Sequence, residues 1–509
     1  MFEVLVLSSG QGNLPTINKV RNRLLSNLGT LFPDDLKPQV FLLFFALVIQ
    51  LAASAISGVG FSLNTSGFWL SGFNLWILWF IIMFFIVNPN ANNILTNHRK
   101  SIKRGAMVII ILLALLGLTE LVMAVWVAPK ENNPTNDFAQ LLSQMEHGFQ
   151  YNDGTALQQQ AIENLLRGRN PYSHSDIIAA LLKYHGSFDR VTPLRDGSLS
   201  DVFPYPPETQ LKAIWDRAIH HPSDPPIELE SRVCYPAGFF LLPAPFVSAG
   251  IKDIRIVYLI FVLIGLAFIT FRIPPKKRLP FIIFAAVSLE LWNSLANGET
   301  GSIIFPLLLI AWVSLDNNQL LSAFAMGLAV ATKQTAWFFL PFYLILLWHK
   351  SGLRPFAFVT SIIIGTFILI NVYFFILAPS VWLASVTSPM TDHLFPLGIG
   401  IVSLVTGGIL NIRSSLPFTV IEAVALIGCA TWYGFNAKRF PLTGPVLAVF
   451  PLFFAWRSLW SYFFYVQIIV LACILTAKEN SSSLIGHPMK SDQTKFVSGP
   501  NKDEQVLSS

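Results

Sequence analysis

Charge is what this sequence has least of. Lys, Arg, Asp and Glu make up 12% of the 509 residues against 53% hydrophobic ones, and the mean hydropathy is +0.57. Such a chain is too apolar for a soluble domain of this length, which leaves the membrane class. Cysteine is almost missing as well. Cys234, Cys429 and Cys473 are the only three, and the last two sit in apolar runs, so neither a disulfide framework nor a zinc-type spacing is present. No clustered His/Asp pattern suggests a metal or a cofactor. The apolar runs are long and continuous, not alternating, which excludes a transmembrane barrel and predicts spanning helices. No internal repeat is visible, which counts against inverted-repeat transporter folds. The N-terminus lacks a short apolar core followed by a small-residue cleavage site, so the first run is expected to be a retained helix.

What is present is a series of runs near the ~20 residues that a spanning helix needs. They fall at about 40–60, 68–88, 105–127, 254–272, 279–296, 302–315, 319–348, 356–378, 416–435, 441–456 and 459–476. The expected fold class is an all-α polytopic bundle of ten to twelve transmembrane helices. The formal charge of +6 resides in short loops: His98, Arg99, Lys100, Lys103 and Arg104 in one, Lys276, Lys277 and Arg278 in another. The positive-inside rule puts these in the cytoplasm, and the long polar loop from Ala128 outside. Three regions follow: a cytoplasmic segment 1–36, a membrane domain 37–476 containing the extracytoplasmic loop 128–250, and a Ser-rich cytoplasmic tail 477–509 expected to be disordered.

Within the loop, Thr155–Arg167 reads as an amphipathic helix with Leu157, Ala161 and Leu165 on one face and glutamines opposite. Asn152 or Asp153 can cap its start and Gly168 can stop it. Asp176–Tyr184 reads as a second helical piece, and Ser187–Arg232 as irregular structure. Tyr235–Ala249 and Gly398–Leu410 are apolar but too short to span, so both read as re-entrant segments. The long run 319–348 is interrupted by Thr332-Lys333-Gln334-Thr335. Two half-helices meeting at Lys333 explain it, because both flanking loops want the same side of the membrane.

Ionisable groups at membrane depth are costly and mark functional candidates. Lys333, flanked by hydroxyls and an amide, suits a phosphate or phosphodiester; its plainer reading is a snorkelling lysine. Arg457, beside Tyr462 in a Trp-rich stretch, is a second cation of the same kind or an interfacial anchor, and Arg413 is a third. Glu290 and Glu422 lie within helices. Asp153, at the head of an amphipathic helix near the membrane surface, can take a proton from an attacking hydroxyl, with Asp137 in reserve. The residues alone therefore indicate a membrane protein with an extracytoplasmic site for a lipid phosphate.

The succession of Asp153, Leu165-Leu166-Arg167-Gly168-Arg169-Asn170-Pro171-Tyr172 and Tyr235-Pro236-Ala237-Gly238 ahead of 241–246 resembles the first lumenal loop of GT-C glycosyltransferases. It is most similar to glycosyltransferase family 87, the polyprenyl-phosphate-mannose-dependent α-mannosyltransferases. Asn297–Gly301 and Gly327–Gln334 fall where that family has a glycine-glutamine turn and a lysine-proline pair. The chain departs from it with Glu299 in place of glutamine, Gln334 in place of proline, and a long insert at 187–232. The resemblance covers about 130–475. It implies a GT-C-like bundle and inverting transfer of a mannose-like hexose from a polyprenyl-phosphate sugar to a lipid or glycan hydroxyl in the cell envelope. Asp153 would be the base, and Lys333 and Arg457 would hold the donor phosphate. Asn170, Tyr172, Tyr235, Glu299, Gln334 and Tyr462 would position substrate. Two other classes compete, a transporter or flippase of lipid-linked sugars and a non-catalytic membrane partner; neither needs a base at Asp153.

Overall fold

The computed structural model describes residues 32–63, 65–122, 151–184, 186–221 and 225–477. Asp137, most of the N-terminal segment and the tail beyond residue 477 lie outside these. Among the described residues the protein is helical, its only strands being one pair two residues long.

The chain enters through α1 (Pro38–Leu63) and returns through α2 (Ser66–Val87). A short α3 (Ala91–Thr96) leads into α4 (Arg99–Val122). The sequence places the start of α4 six residues later. Its basic first turns are good helix formers, and they are held where Arg99 donates to the Asp34 carbonyl and Lys103 pairs with the Asp34 carboxylate at 3.4 Å. Beyond the loop come α5 (Asp153–Leu166), α6 (Ile177–Lys183) and α7 (Glu208–His220).

The helix α7 corrects the expectation of an irregular 187–232. Leu211, Ile214, Trp215 and Ala218 recur at helical spacing and are buried, a stripe masked in the sequence by flanking prolines and charges. In α5, likewise, the glutamines are not a solvated face. Gln158 and Gln159 are buried and reach across to the carbonyls of Phe239 and Lys252.

Two short helices, α8 (Gly238–Leu241) and α9 (Ala244–Ser248), occupy the segment read as re-entrant. Then α10 (Ile254–Arg272) crosses, followed by α11 (Pro275–Ala286) and α12 (Leu289–Ala296). The last two are one sequence run bent by 52°. Ser288 sits at the bend, its Oγ bonded to the Phe284 carbonyl at 2.6 Å, and a side chain inserted in the backbone ladder is a known cause of such kinks. The helix α13 (Gly301–Ser314) is buried almost all round. It leads to α14 (Gln319–Val330), α15 (Thr335–Ser351), α16 (Leu353–Leu377) and α17 (Pro379–Thr391).

After β1 (Leu397–Gly398) come α18 (Val402–Thr406) and α19 (Leu416–Asn436). The expected helices 441–456 and 459–476 are broken into α20 (Gly444–Val449), β2 (Arg457–Ser458), α21 (Val466–Thr476) and 3-10 turns. Pro451, which lacks an amide hydrogen, opens one of those turns directly after α20.

Among the described residues, six helices are long and apolar enough to cross a membrane, or seven when α11 and α12 count as one span, and five shorter apolar segments accompany them. The chain is a multi-pass helical membrane protein. In lipid, helices associate by close packing and not by hydrophobic burial, so small residues mark the crossings. A methyl group on Gly72 of α2 would come within 2.4 Å of Ser57 Oγ in α1, and one on Gly265 of α10 within 2.5 Å of Pro306 in α13.

The helix ends fall on two faces. On one, the Asp316–Lys350 ion pair (2.7 Å), the Gln319–Ser351 bond (2.8 Å) and the bond of His349 to the Gly434 carbonyl (2.6 Å) join α14, α15 and α19. The other face carries the described residues between 151 and 253, the turn 297–300 and the loop 392–396. Because α14 starts and α15 ends at the first face, residues 331–334 are the tip of a helical hairpin. The tip reaches the other face, where Lys333 donates to Thr300 of the turn 297–300 and Gly238 N donates to the Ala331 carbonyl.

Candidate functional site at the loop face

Asp153 is positioned by its neighbours more than by its own bonds. Asn152 caps α5, its Oδ1 accepting from Thr155 N at 2.8 Å, while its Nδ2 donates to the carbonyls of Asn297 (3.1 Å) and Gly298 (3.3 Å). The Thr155 hydroxyl also donates to the Gly298 carbonyl. This close seating requires glycine at 298. Its φ is +70°, and a Cβ there would lie 2.7 Å from Thr155 Oγ1. Asp153 is consequently the first residue of a helix pinned to the turn 297–300. It is half-buried, with Oδ1 accepting from Gly154 N at 2.6 Å.

The hairpin tip arrives from below. Lys333 is 4% exposed. Its ammonium donates to Thr300 Oγ1 and lies 5.2 Å from the centre of the Tyr235 ring. Tyr235 is brought there by the segment leading to α8, which the tip grips through the backbone: Gly238 N donates to the Ala331 carbonyl at 2.9 Å. A Cβ at Gly238 would stand 2.6 Å from that same oxygen, so no other residue permits the approach. Gln334 is spent in the same fastening, donating to the carbonyls of Cys234 (2.6 Å) and Val386 (2.9 Å).

The third wall is the strand pair. Leu397 faces Arg457 and Gly398 faces Ser458 in a parallel register, which sets the Arg457 guanidinium at the loop face. Its Nη1 is buried and has no hydrogen-bond partner among the described residues. A buried charged donor left unbonded is costly.

Electrostatics tie these walls together. Asp153 and Lys333 both act on Cys234 and on Glu299, and Asp153 and Arg457 both act on Tyr205. Burial raises the Glu299 carboxyl above its ordinary range, with Lys333 and Ser461 pulling the other way and Asp153 adding to the rise. Burial also lifts the Cys234 thiol to about 12, reinforced by Glu230 and Asp153, which makes it unreactive at neutral pH. Tyr462 lies in the fields of both Arg457 and Glu299. Asp153, Tyr235, Glu299, Lys333, Arg457 and Tyr462 are therefore one cluster, supplied by elements far apart in the chain.

The remaining sequence candidates lie elsewhere. Asn170 builds a local turn, its Oδ1 accepting from Tyr172 N at 3.1 Å. Tyr172 is buried against Phe240 and Phe374, its hydroxyl donating to the Tyr235 carbonyl at 2.8 Å, so it supports Tyr235 from behind. Arg413 is exposed and stacks 5.4 Å from the Phe203 ring. A cleft of about 350 Å³ lies among Tyr151, Glu163, Lys183, Tyr184 and Arg255, and none of its lining residues belongs to the cluster. No three His, Cys, Asp or Glu side chains converge as a metal-binding group among the described residues.

Sequence reasoning missed Thr300, Tyr205 and the anchoring of the insert. Arg232 pairs with Asp392, Arg195 N donates to the His393 carbonyl at 2.7 Å, and His393 Nδ1 meets Asp196 at 2.8 Å. No periodicity announces such contacts. Comparison with models of known families, with curated proteins and with solved structures gives no match, so the chemistry of the site carries its interpretation.

Proposed function

We propose that this protein is a GT-C-type glycosyltransferase that moves a mannose-like hexose from a polyprenyl-phosphate sugar to a lipid or glycan hydroxyl on the extracytoplasmic side of the cell membrane. The observation that carries the reading is that one half-buried carboxylate and two cations bear on the same side chains at the loop face, one of the cations having an unbonded guanidinium nitrogen. In the reaction the acceptor oxygen attacks the anomeric carbon, and Asp153 takes its proton as the new bond forms. The bond from that carbon to the phosphate oxygen breaks on the opposite side, with inversion, and the electron pair leaves on the polyprenyl phosphate. Lys333 and Arg457 stabilise that growing charge. Tyr235 and Thr300 hold Lys333 in place, and Tyr462 and Glu299 line the sugar's side. The similarity of the loop motifs to family 87 supports the same assignment. The reserve base, Asp137, lies outside the described residues.

The test is to incubate the purified protein with a panel of polyprenyl-phosphate sugars and follow donor consumption. Asp153→Asn is expected to lower turnover by at least ~100-fold. Turnover that survives in this variant rules out Asp153 as the base, and a panel that is never consumed by the wild type rules out the donor class.

A further inference from the structure

The insert 187–232 brings Tyr205 to the edge of the cluster. Tyr205 packs edge-on against Phe61 of α1 and Phe395, with ring centres 5.5 and 5.7 Å away. Phe395 stands two residues before Leu397, the register partner of Arg457. The insert is fixed here by the Arg232–Asp392 pair, the Leu194–Leu394 bridge and the bond from Arg195 N to His393. The phenol thus reaches the site on a rigid mount and meets Asp153 and Arg457 through their fields, with no hydrogen bond of its own among the described residues. A ring so placed purely for packing would gain nothing from a hydroxyl.

We infer that Tyr205 touches substrate, its hydroxyl donating to an oxygen of the lipid phosphate held by Arg457; this rests on the proposed transferase reading and deepens it. A guanidinium only donates and a carboxylate only accepts, so a hydroxyl that lies in the fields of both has a role that neither fills. It can accept from Arg457 and pass its own proton to a phosphate oxygen. Burial raises the phenol above its ordinary range, with Arg457 opposing and Asp153 adding, so the group keeps its proton at neutral pH. The insert is then the wall that closes the phosphate site from the loop side.

The experiment measures binding of a long-chain polyprenyl phosphate, and of the matching polyprenol without phosphate, to the purified full-length wild type and to Tyr205→Phe. Phenylalanine keeps the ring packing and removes only the hydroxyl. The expected result is about tenfold weaker binding of the phosphate, the loss of one hydrogen bond to a charged group, with polyprenol binding unchanged. Equal phosphate affinity in the two proteins overturns the inference and leaves the transferase reading standing. Weaker binding of both lipids reduces Tyr205 to a packing residue and also overturns it. A wild type that binds the phosphate no better than the polyprenol overturns the inference together with the donor class.

Discussion

Replacing Lys333 by methionine keeps the side chain's length and apolar stem but removes its charge. Three interactions go with that charge: the bond to Thr300 Oγ1, the contact with the Tyr235 ring and the opposition to Glu299. The ring contact is worth about 1–2 kcal/mol when desolvated. Lys333 and Glu299 feel each other without forming an ion pair, and two unit charges several ångströms apart at an effective dielectric of ~20 are worth about 2 kcal/mol. Against this stands relief from burying an ammonium. The net expectation is a loss of about 2 kcal/mol of stability in Lys333→Met, most of it from stranding Glu299. Adding Glu299→Gln removes the stranded charge and should recover most of that loss.

Activity should follow a different course. A preorganised donor aimed at developing charge is worth ~10²–10³ in turnover, and the second substitution restores no cation to the leaving phosphate. Both variants should therefore remain ~100-fold slow. Thermal unfolding of the protein in detergent or nanodiscs gives the stability arm, and consumption of a polyprenyl-phosphate sugar gives the other. A double variant with full turnover would refute the placement of Lys333 at the leaving group. A single variant with an unaltered unfolding midpoint would refute its coupling to Glu299.

Gly238→Ala should destabilise by about 2–3 kcal/mol, because the added methyl meets the Ala331 carbonyl at 2.6 Å and Thr332 Oγ1 at 2.7 Å and the backbone at the hairpin tip cannot yield cheaply; thermal unfolding measures it. Glu230 provides a pH test. Burial, reinforced by Asp392 and opposed by Arg232, raises its carboxyl from 4.5 to about 7, so between those values the folded chain holds a proton that the unfolded chain has released. Stability should accordingly fall by about 3 kcal/mol as pH rises through that window and level off above it. The expected result for Glu230→Gln is a flattened slope in unfolding midpoint against pH; an unchanged slope would assign the titration to another group.

Much of the architecture was legible because in lipid the physics is local. An apolar run must satisfy its backbone bonds within itself, so α1, α2, α10, α16 and α19 appear close to where hydropathy puts them. The interruption at Thr332–Thr335 betrays the hairpin tip for the same reason. Asn152, and not Asp153, caps the start of α5, and Gly168 with positive φ ends it. Both principal cations were visible as charges out of place in apolar runs, and the candidate base as a carboxylate at the head of an amphipathic helix.

Only the folded chain decided which of those charges meet. Asp153, Lys333 and Arg457 are separated by well over a hundred residues each, and they converge through Gly298 under Thr155, Gly238 under the hairpin tip, and the pairing of 397–398 with 457–458. Each is a contact between distant segments and leaves no period in the sequence. The same limit hid the buried stripe of α7, the interior role of Gln158 and Gln159, and Tyr205, a lone aromatic among prolines. Composition and local pattern thus determined a helical membrane protein with stray ionisable groups. Long-range packing, which local pattern does not encode, made a site of some of them and left Arg413 stacked on a surface ring.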